Sequence, residues 1–232
     1  MNLYRLELMK IRLSVYLWAI FWIFLSLQAL AVLFLFLGDA PEEEILFKSW
    51  NGLFALSTAV ASACFSIFSA VFAARVIVNE YCGKYAVLLF TYPVSRRRIL
   101  NIKCRLVFGI TTVSASICNI SVMGILYITA KIFGIVPRLA TGHFIVSVLL
   151  SSVLSGILSS AIGIISAVFG LKKHSVMSTI ICSVIIACFV PNLIAVSLEK
   201  IVFSLFIMSV LFALAAGGMY HFLVRGIEIQ EV

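Results

Sequence analysis

The chain has 232 residues, 63% of them hydrophobic and 11% charged, with a formal net charge of +8 at pH 7. A soluble domain carries about 25% charged residues, so this composition excludes a soluble globule and points to an integral membrane protein, of a length that one domain accommodates. The Lys and Arg residues sit between long apolar runs and form no groove-sized patch, which sets nucleic acid aside and fits positive-inside topology.

The opening residues 1–12 mix Leu3 and Leu6 with Arg5, Glu7, Lys10 and Arg12. That pattern suits an interfacial helix entering the first span at an elbow. Six apolar runs follow, at 13–37, 50–74, 106–130, 144–169, 176–198 and 201–224. Each is long enough for the ~30 Å hydrocarbon core, which takes about 20 helical residues. The first is too long for a signal-peptide core and has no small-residue cleavage site after it, so it is expected to stay in the mature protein. The runs are apolar on all sides rather than alternating, which favours helices over a barrel. With both termini inside, the inner segments hold 13 Lys and Arg and the outer segments 4, a bias that orients the chain. The expected fold is therefore all-α: a single transmembrane domain over 1–232 with six transmembrane helices and cytoplasmic termini.

Between the first two spans, the outer segment GDAPEEE carries Asp39, Glu42, Glu43 and Glu44 beside Lys48. Such an acidic loop suits a cationic peptide, although acidic outer loops are also ordinary. The second span brings small residues at helical spacing: Ser62, Ser66, Ala70 and Ala74.

The stretch Glu80–Arg105 interrupts this oily pattern with six basic residues. After Gly83 and Lys84, the residues Tyr85, Leu88, Leu89 and Tyr92 fall at i, i+3, i+4 and i+7, one face of a short helix. Pro93 ends it. Ser95 is a candidate N-cap for a helix that runs through Arg96–Arg98 into the third span. Three arginines at a helix N-terminus oppose the macrodipole, and lipid phosphates at the inner surface are their natural partners. Glu80 is the one acid among seven basic residues between Arg75 and Arg105. It is expected to pair with a loop arginine and brace the helix; the other reading is a solvated charge.

The later spans repeat the small-residue theme. The fourth has Ser151, Ser155, Ser159, Gly163 and Ala167, flanked by Ser152, Gly156 and Ser160; the fifth has Ser175, Thr179, Ser183 and Ala187. Such ridges let helix backbones approach closely, either within the chain or at a subunit interface or substrate path. Gln28, Asn119 and Asn192 carry amides that must find partners in hydrocarbon. Up to Val190 the fifth span is only about 22 Å long, so Pro191-Asn192 marks either a broken or re-entrant turn over 191–200 or a proline kink. No Asp, Glu, Lys, Arg or His lies deep in a span, which argues against an ion-coupled carrier and against intramembrane catalysis. His143, His174 and His221 lie at span ends and are expected to be interfacial. The six cysteines form no CxxC and none falls in an outer loop, so neither a metal site nor a disulfide is indicated.

The elbow, the six spans and the inner-loop series Glu80, Gly83, Leu88, Leu89, Pro93, Ser95 and Arg96 together resemble the permease subunits of type-two ABC transporters. The likeness is to the small bacterial members for lantibiotic immunity, bacitracin resistance and phenol-soluble-modulin export. This chain has Gly83-Lys84 where the family often has Gly-Thr. The resemblance implies that the loop holds a coupling helix seated on an ATPase, with Glu80, Gly83, Lys84, Tyr85, Leu88, Leu89, Tyr92, Pro93 and Arg96 as coupling residues. It implies a bacterial cytoplasmic-membrane protein that exports or expels amphipathic, antimicrobial or toxic peptides. No G-x-x-x-x-G-K-[ST] motif occurs, so ATP and Mg are expected on a separate ATPase subunit, and this chain is expected to be neither an enzyme nor a cofactor binder. A second permease copy or a paralogue completes the unit, with the second and fifth ridges expected at the seam. Asn119, Ser155 and Ser159 are candidate contacts along the substrate pathway. The competing function is a non-transporting membrane adaptor or sensor that recruits a cytoplasmic partner through the same loop.

Overall fold

The computed structural model describes residues 13–37, 50–82, 96–133, 142–196 and 201–229, and apart from one turn they are all helical. In chain order the helices are α1 (Leu13–Leu37), α2 (Trp50–Ala73), a π-helical turn (Ala74–Val78), α3 (Asn79–Cys82), α4 (Arg96–Phe133), α5 (Gly142–Lys172), α6 (Val176–Val196) and α7 (Ile201–Ile229). Helices answer the demand of hydrocarbon that every backbone N–H and C=O be satisfied within its own segment. Five described stretches are long and apolar enough to cross a membrane: Ser14–Leu35, Gly52–Val78, Ile99–Phe133, Ile145–Lys172 and Val202–His221.

In the fifth run, the expected break or re-entrant turn over 191–200 is not found among the described residues. α6 does not break at Pro191; it continues as helix to Val196, 21 residues in all. At 1.5 Å per residue that is about 32 Å, enough for the ~30 Å core. Pro191 brings no N–H to the carbonyl four residues back, a loss that transmembrane helices tolerate when nearby polar groups re-satisfy the backbone. At the next residue, the Asn192 side-chain amide donates to the Cys188 carbonyl at 2.8 Å, beside the Ala187 carbonyl that Pro191 leaves without its usual donor.

α5 is the axis of the bundle: it packs against α2, α4, α6 and α7, whereas α1 touches only α2 and α4 to any extent. Burial follows, with 72% of the apolar window of α5 and 67% of that of α2 inside the bundle, against 17% for α1 and for α7. The lipid-facing side of α1 carries Trp18, Phe21 and Trp22, aromatics suited to the membrane–water interface.

Small residues explain the closeness of α5 to its neighbours. A Cβ on Gly156 would stand 2.8 Å from the Thr112 carbonyl oxygen and 2.9 Å from Ser116 Oγ of α4. A Cβ on Gly163 would collide with Ser69 Oγ of α2 and lie 2.7 Å from its Cβ. The serines of α5 turn their hydroxyls back onto their own helix: Ser151 to Ser147 O at 2.7 Å, Ser152 to Val148 O at 2.6 Å, Ser159 to Gly156 O at 3.0 Å. A serine bonded this way presents little more bulk than alanine and leaves no donor unsatisfied.

The ridges of the second and fifth spans do not face a subunit seam. Ser62, Ser66, Ala70 and Ala74 on the second rod and Thr179, Ser183 and Ala187 on α6 are all buried within the single chain, where α2 packs on α5 and α6. Two small-residue surfaces are complementary wherever they meet, and the fold brings these together inside one subunit.

α5 and α6 join through a tight turn. Ser175 N–H donates to Gly170 O at 3.1 Å and His174 N–H to Leu171 O at 3.2 Å, the double bond of a Schellman cap. His174 takes the left-handed position with φ 48°. Span-end His174 is thus part of a helix stop.

The α2–α5 crossing generates a stability test. Gly163→Leu is expected to destabilise the protein by about 1–3 kcal/mol, the usual cost of overpacking, whereas Gly124, around which a Cβ would meet nothing within 4 Å, should accept alanine with no such loss. Ser69 Oγ is buried without a hydrogen-bond partner among the described residues, so Ser69→Ala is expected to be neutral or stabilising by about 1 kcal/mol. Thermal unfolding of the purified variants in one detergent checks all three.

Candidate functional site

The second rod of the bundle starts at Trp50, passes through the π turn and ends at Cys82, just before the 83–95 connection; α4 leaves that connection at Arg96. The π turn, closed by Asn79 N–H on the Ala74 carbonyl, places one extra residue in the helix. Ala74, Val76, Ile77 and Val78 are all buried there, because α4, α5 and α6 surround this end of the rod. Val76, Ile77 and Val78 belong to a second apolar cluster, distinct from the main core, with Phe72, Leu100, Leu106 and Val107.

Into this cluster α4 sends Lys103, which is 1% exposed. Its Nζ forms an ion pair with the carboxylate of Glu80 on α3 and donates to the Val76 carbonyl of the π turn at 3.2 Å. A buried ammonium needs both an opposite charge and hydrogen-bond acceptors, and the two stems of the connection supply them together. The outcome is a clip at the base of residues 83–95 that ties α3 to the first turns of α4. π turns concentrate at functional sites, and this one exposes a carbonyl to a cation instead of closing a uniform α ladder.

Glu80 therefore has a partner, as a brace requires, and that partner is Lys103 of the span helix. Lys103 is the residue that the sequence reading missed: it was counted with the cytoplasmic charges, whereas α4 begins at Arg96 and carries Lys103 two turns up into the packed bundle. The signal was its spacing, seven residues from Arg96 in a segment that runs into Leu106 and Val107. Arg96 opens α4. Gly83, Lys84, Tyr85, Leu88, Leu89, Tyr92, Pro93 and Ser95 lie outside the described residues, as do the 1–12 elbow and the acidic 38–49 segment.

The structure brings Asn119 and Ser155 together: Asn119 Nδ2 donates to Ser155 Oγ at 2.6 Å across the α4–α5 contact. Thr112 and Ser116 of α4 add bonds to Ser160 Oγ and the Ser152 carbonyl, each at 3.2 Å. Ser159 is fully buried one turn from Ser155 and bonded to its own helix. Asn119 and Ser155 are thus packed between α4 and α5, and Ser159 is buried inside the bundle. The Gln28 amide bridges α1 to Ser121 Oγ of α4 at 3.0 Å, and its Oε1 has no hydrogen-bond partner among the described residues.

The family model described as ABC-2 family transporter protein matches residues 3–189, in line with the resemblance carried by the inner-loop series. An uncharacterised protein of Bacillus subtilis (strain 168), YcbO, is 26% identical over 195 residues, covering 83% of this chain and 84% of its own length. No solved structure matches the chain.

Removing one half of a buried pair leaves the other charge uncompensated, at about 3–5 kcal/mol. Lys103→Met and Glu80→Gln are each expected to lower the unfolding temperature strongly, and the double variant Glu80→Gln/Lys103→Met to recover most of the loss. Denaturation of the three variants beside the parent measures the coupling; losses that simply add would mean that the pair does not act as a clip.

Proposed function

Because the chain belongs to the ABC-2 transporter family, we propose that it is the permease subunit of an exporter, driven by a separate ATPase chain through residues 83–95. The observation that supports this most directly is the Glu80–Lys103 clip. A coupling segment is useful only if a push on it moves the spans rather than bending its own stems. An ion pair that also engages the π-turn carbonyl joins the end of the second rod to the start of α4, so displacement of the segment is passed to both helices at once. In this reading Tyr85, Leu88, Leu89 and Tyr92 form the apolar face that seats on the ATPase. Gly83, Lys84, Pro93 and Arg96 shape and orient that face.

The family's membrane subunits are the non-catalytic type, and this chain carries no phosphate-binding loop of its own, so ATP and Mg belong to the partner. The proposed cargo is an amphipathic peptide. Apart from the Glu80–Lys103 pair, the described spans offer hydroxyls, amides and apolar walls, and the acidic residues Asp39 and Glu42–Glu44 suit a cationic ligand. A second permease copy or a paralogue would complete the pathway. Asn119 and Ser155 would reach cargo only as α4 and α5 part, and buried Ser159 only as the bundle opens; each hydrogen bond exchanged in that step is worth only about 1 kcal/mol, a cost compatible with a cyclic motion.

Placing charge in the apolar face tests the proposal. Leu88→Asp/Leu89→Asp is expected to cut recovery of the ATPase with the tagged permease by about thirtyfold, the scale of a lost interface hot spot, at unchanged membrane abundance. In the intact complex, cationic amphipathic peptides are expected to stimulate ATP hydrolysis. An ATPase that still co-purifies with the variant would overturn the coupling assignment. A stable complex that no peptide stimulates would favour the adaptor reading.

A further inference from the structure

A cleft of 280 Å³ opens between α4, α5 and α7, close to the end of the bundle that carries the 83–95 connection. Its two ends differ in chemistry. At one end stand Asn101 and Arg105 of α4 and Tyr220 of α7. Tyr220 Oη donates to Asn101 Oδ1 at 2.7 Å, which fixes this end and uses the Asn101 oxygen, so that its amide nitrogen is the group left to donate. Arg105 is exposed and forms no ion pair with any described residue. At the other end the walls are Phe108, Ala161, Ile164 and Ala213. From Tyr220 to Ala213 the cleft follows α7 for two turns, about 10 Å.

The hollow exists because the facing residues are small. Ala161 of α5 meets Ala213, Ala216 and Gly217 of α7 along it, and a Cβ on Gly217 would meet nothing within 4 Å. An apolar slot of this kind in hydrocarbon is filled by whatever lies alongside. Its volume falls just below the roughly 300–1,000 Å³ of small-molecule sites, which suits one narrow chain better than a folded ligand. The lysine and arginine count places this end at the cytoplasmic surface, where lipids carry negative charge and basic pockets between spans take phospholipid head groups. Arg96, Arg97 and Arg98 begin the same helix, within three turns of Arg105.

We propose that the α4–α5–α7 cleft binds an anionic phospholipid of the inner leaflet, with its phosphate on Arg105 and the Asn101 amide and one acyl chain between α5 and α7. The charge decides the occupant: a zwitterionic lipid offers the same chain but brings its own cation to compete with the arginine. The site is independent of the coupling segment, and it would act as a wedge that sets the spacing of α7 against the axis of the bundle, the helix with the least other support.

The test is lipid retention by the full chain, purified with any co-purifying ATPase. Delipidated protein is titrated with palmitoyl-oleoyl phosphatidylglycerol or the matching phosphatidylcholine and read by native mass spectrometry. The parent is expected to prefer the anionic lipid by about fivefold, the effect of one basic residue at a membrane surface. Arg105→Gln is expected to abolish that preference and Arg105→Lys to keep it. Gly217→Leu, which fills the apolar end, is expected to reduce binding of both lipids, and Gly124→Leu, equally open but outside the cleft, to change neither. Equal binding of the two lipids by the parent would overturn the proposal. So would unchanged retention in Gly217→Leu, or an equal loss in Gly124→Leu.

Discussion

Helices in hydrocarbon gain nothing by burying apolar surface against one another, because lipid tails are as apolar as leucine. What remains is dispersion at short range and hydrogen bonds, and both require backbones to come close. In this protein that requirement falls on α5. Glycines at positions 156 and 163 admit α4 and α2 to distances at which a methyl group would collide, and the neighbouring serines are bonded to their own helix, so that they act as small, quiet surfaces. The rest of the bundle hangs on this helix. α2 and α6 meet across their own small residues beside it, and α7 is attached almost entirely through it.

Polar side chains then pin what close packing has brought together. Asn119 to Ser155 and Gln28 to Ser121 each join two helices that already touch, so their amides cost little to bury and register the contact. Lys103 differs in kind. It brings a full charge into the cluster around Ile77 and Leu100, a position tolerable only because Glu80 and the Val76 carbonyl converge on it. The π turn makes that convergence available by re-phasing the rod after Ala73. A structural irregularity and a buried charge therefore coincide at the base of residues 83–95, which is why the proposed mechanical role is placed here and not in the hydroxyl-rich middle of the bundle.

Much of this was legible before any coordinates. Unbroken apolar runs bounded by Lys and Arg admit only helices of membrane-spanning length, since no other arrangement satisfies the backbone in lipid; α1 runs over Leu13–Leu37 as its composition requires. The series from Glu80 to Arg96 carried the family without any geometry, because it is a string of identities. Glu80 stood out as an acid in a basic segment, and its need for a partner was plain.

Which partner it took was a tertiary matter. Lys103 is 23 residues away in sequence, and it reaches Glu80 because α4 is already helical at Arg96 and the two stems lie side by side. The ridges pose the same problem: a row of small residues fits any other such row, so spacing names the surface and not its mate, and only the assembled bundle shows Ser62–Ala74 turned inward. Pro191 illustrates the converse. Its missing N–H forecasts a break, yet α6 carries on to Val196, since one absent hydrogen bond weighs little against a turn of helix held by its remaining bonds. Sequence by itself determined which segments are helices and what they are made of, because hydrocarbon imposes those terms on each segment alone. The fold decided who meets whom, because contact between helices depends on the whole set being packed at once.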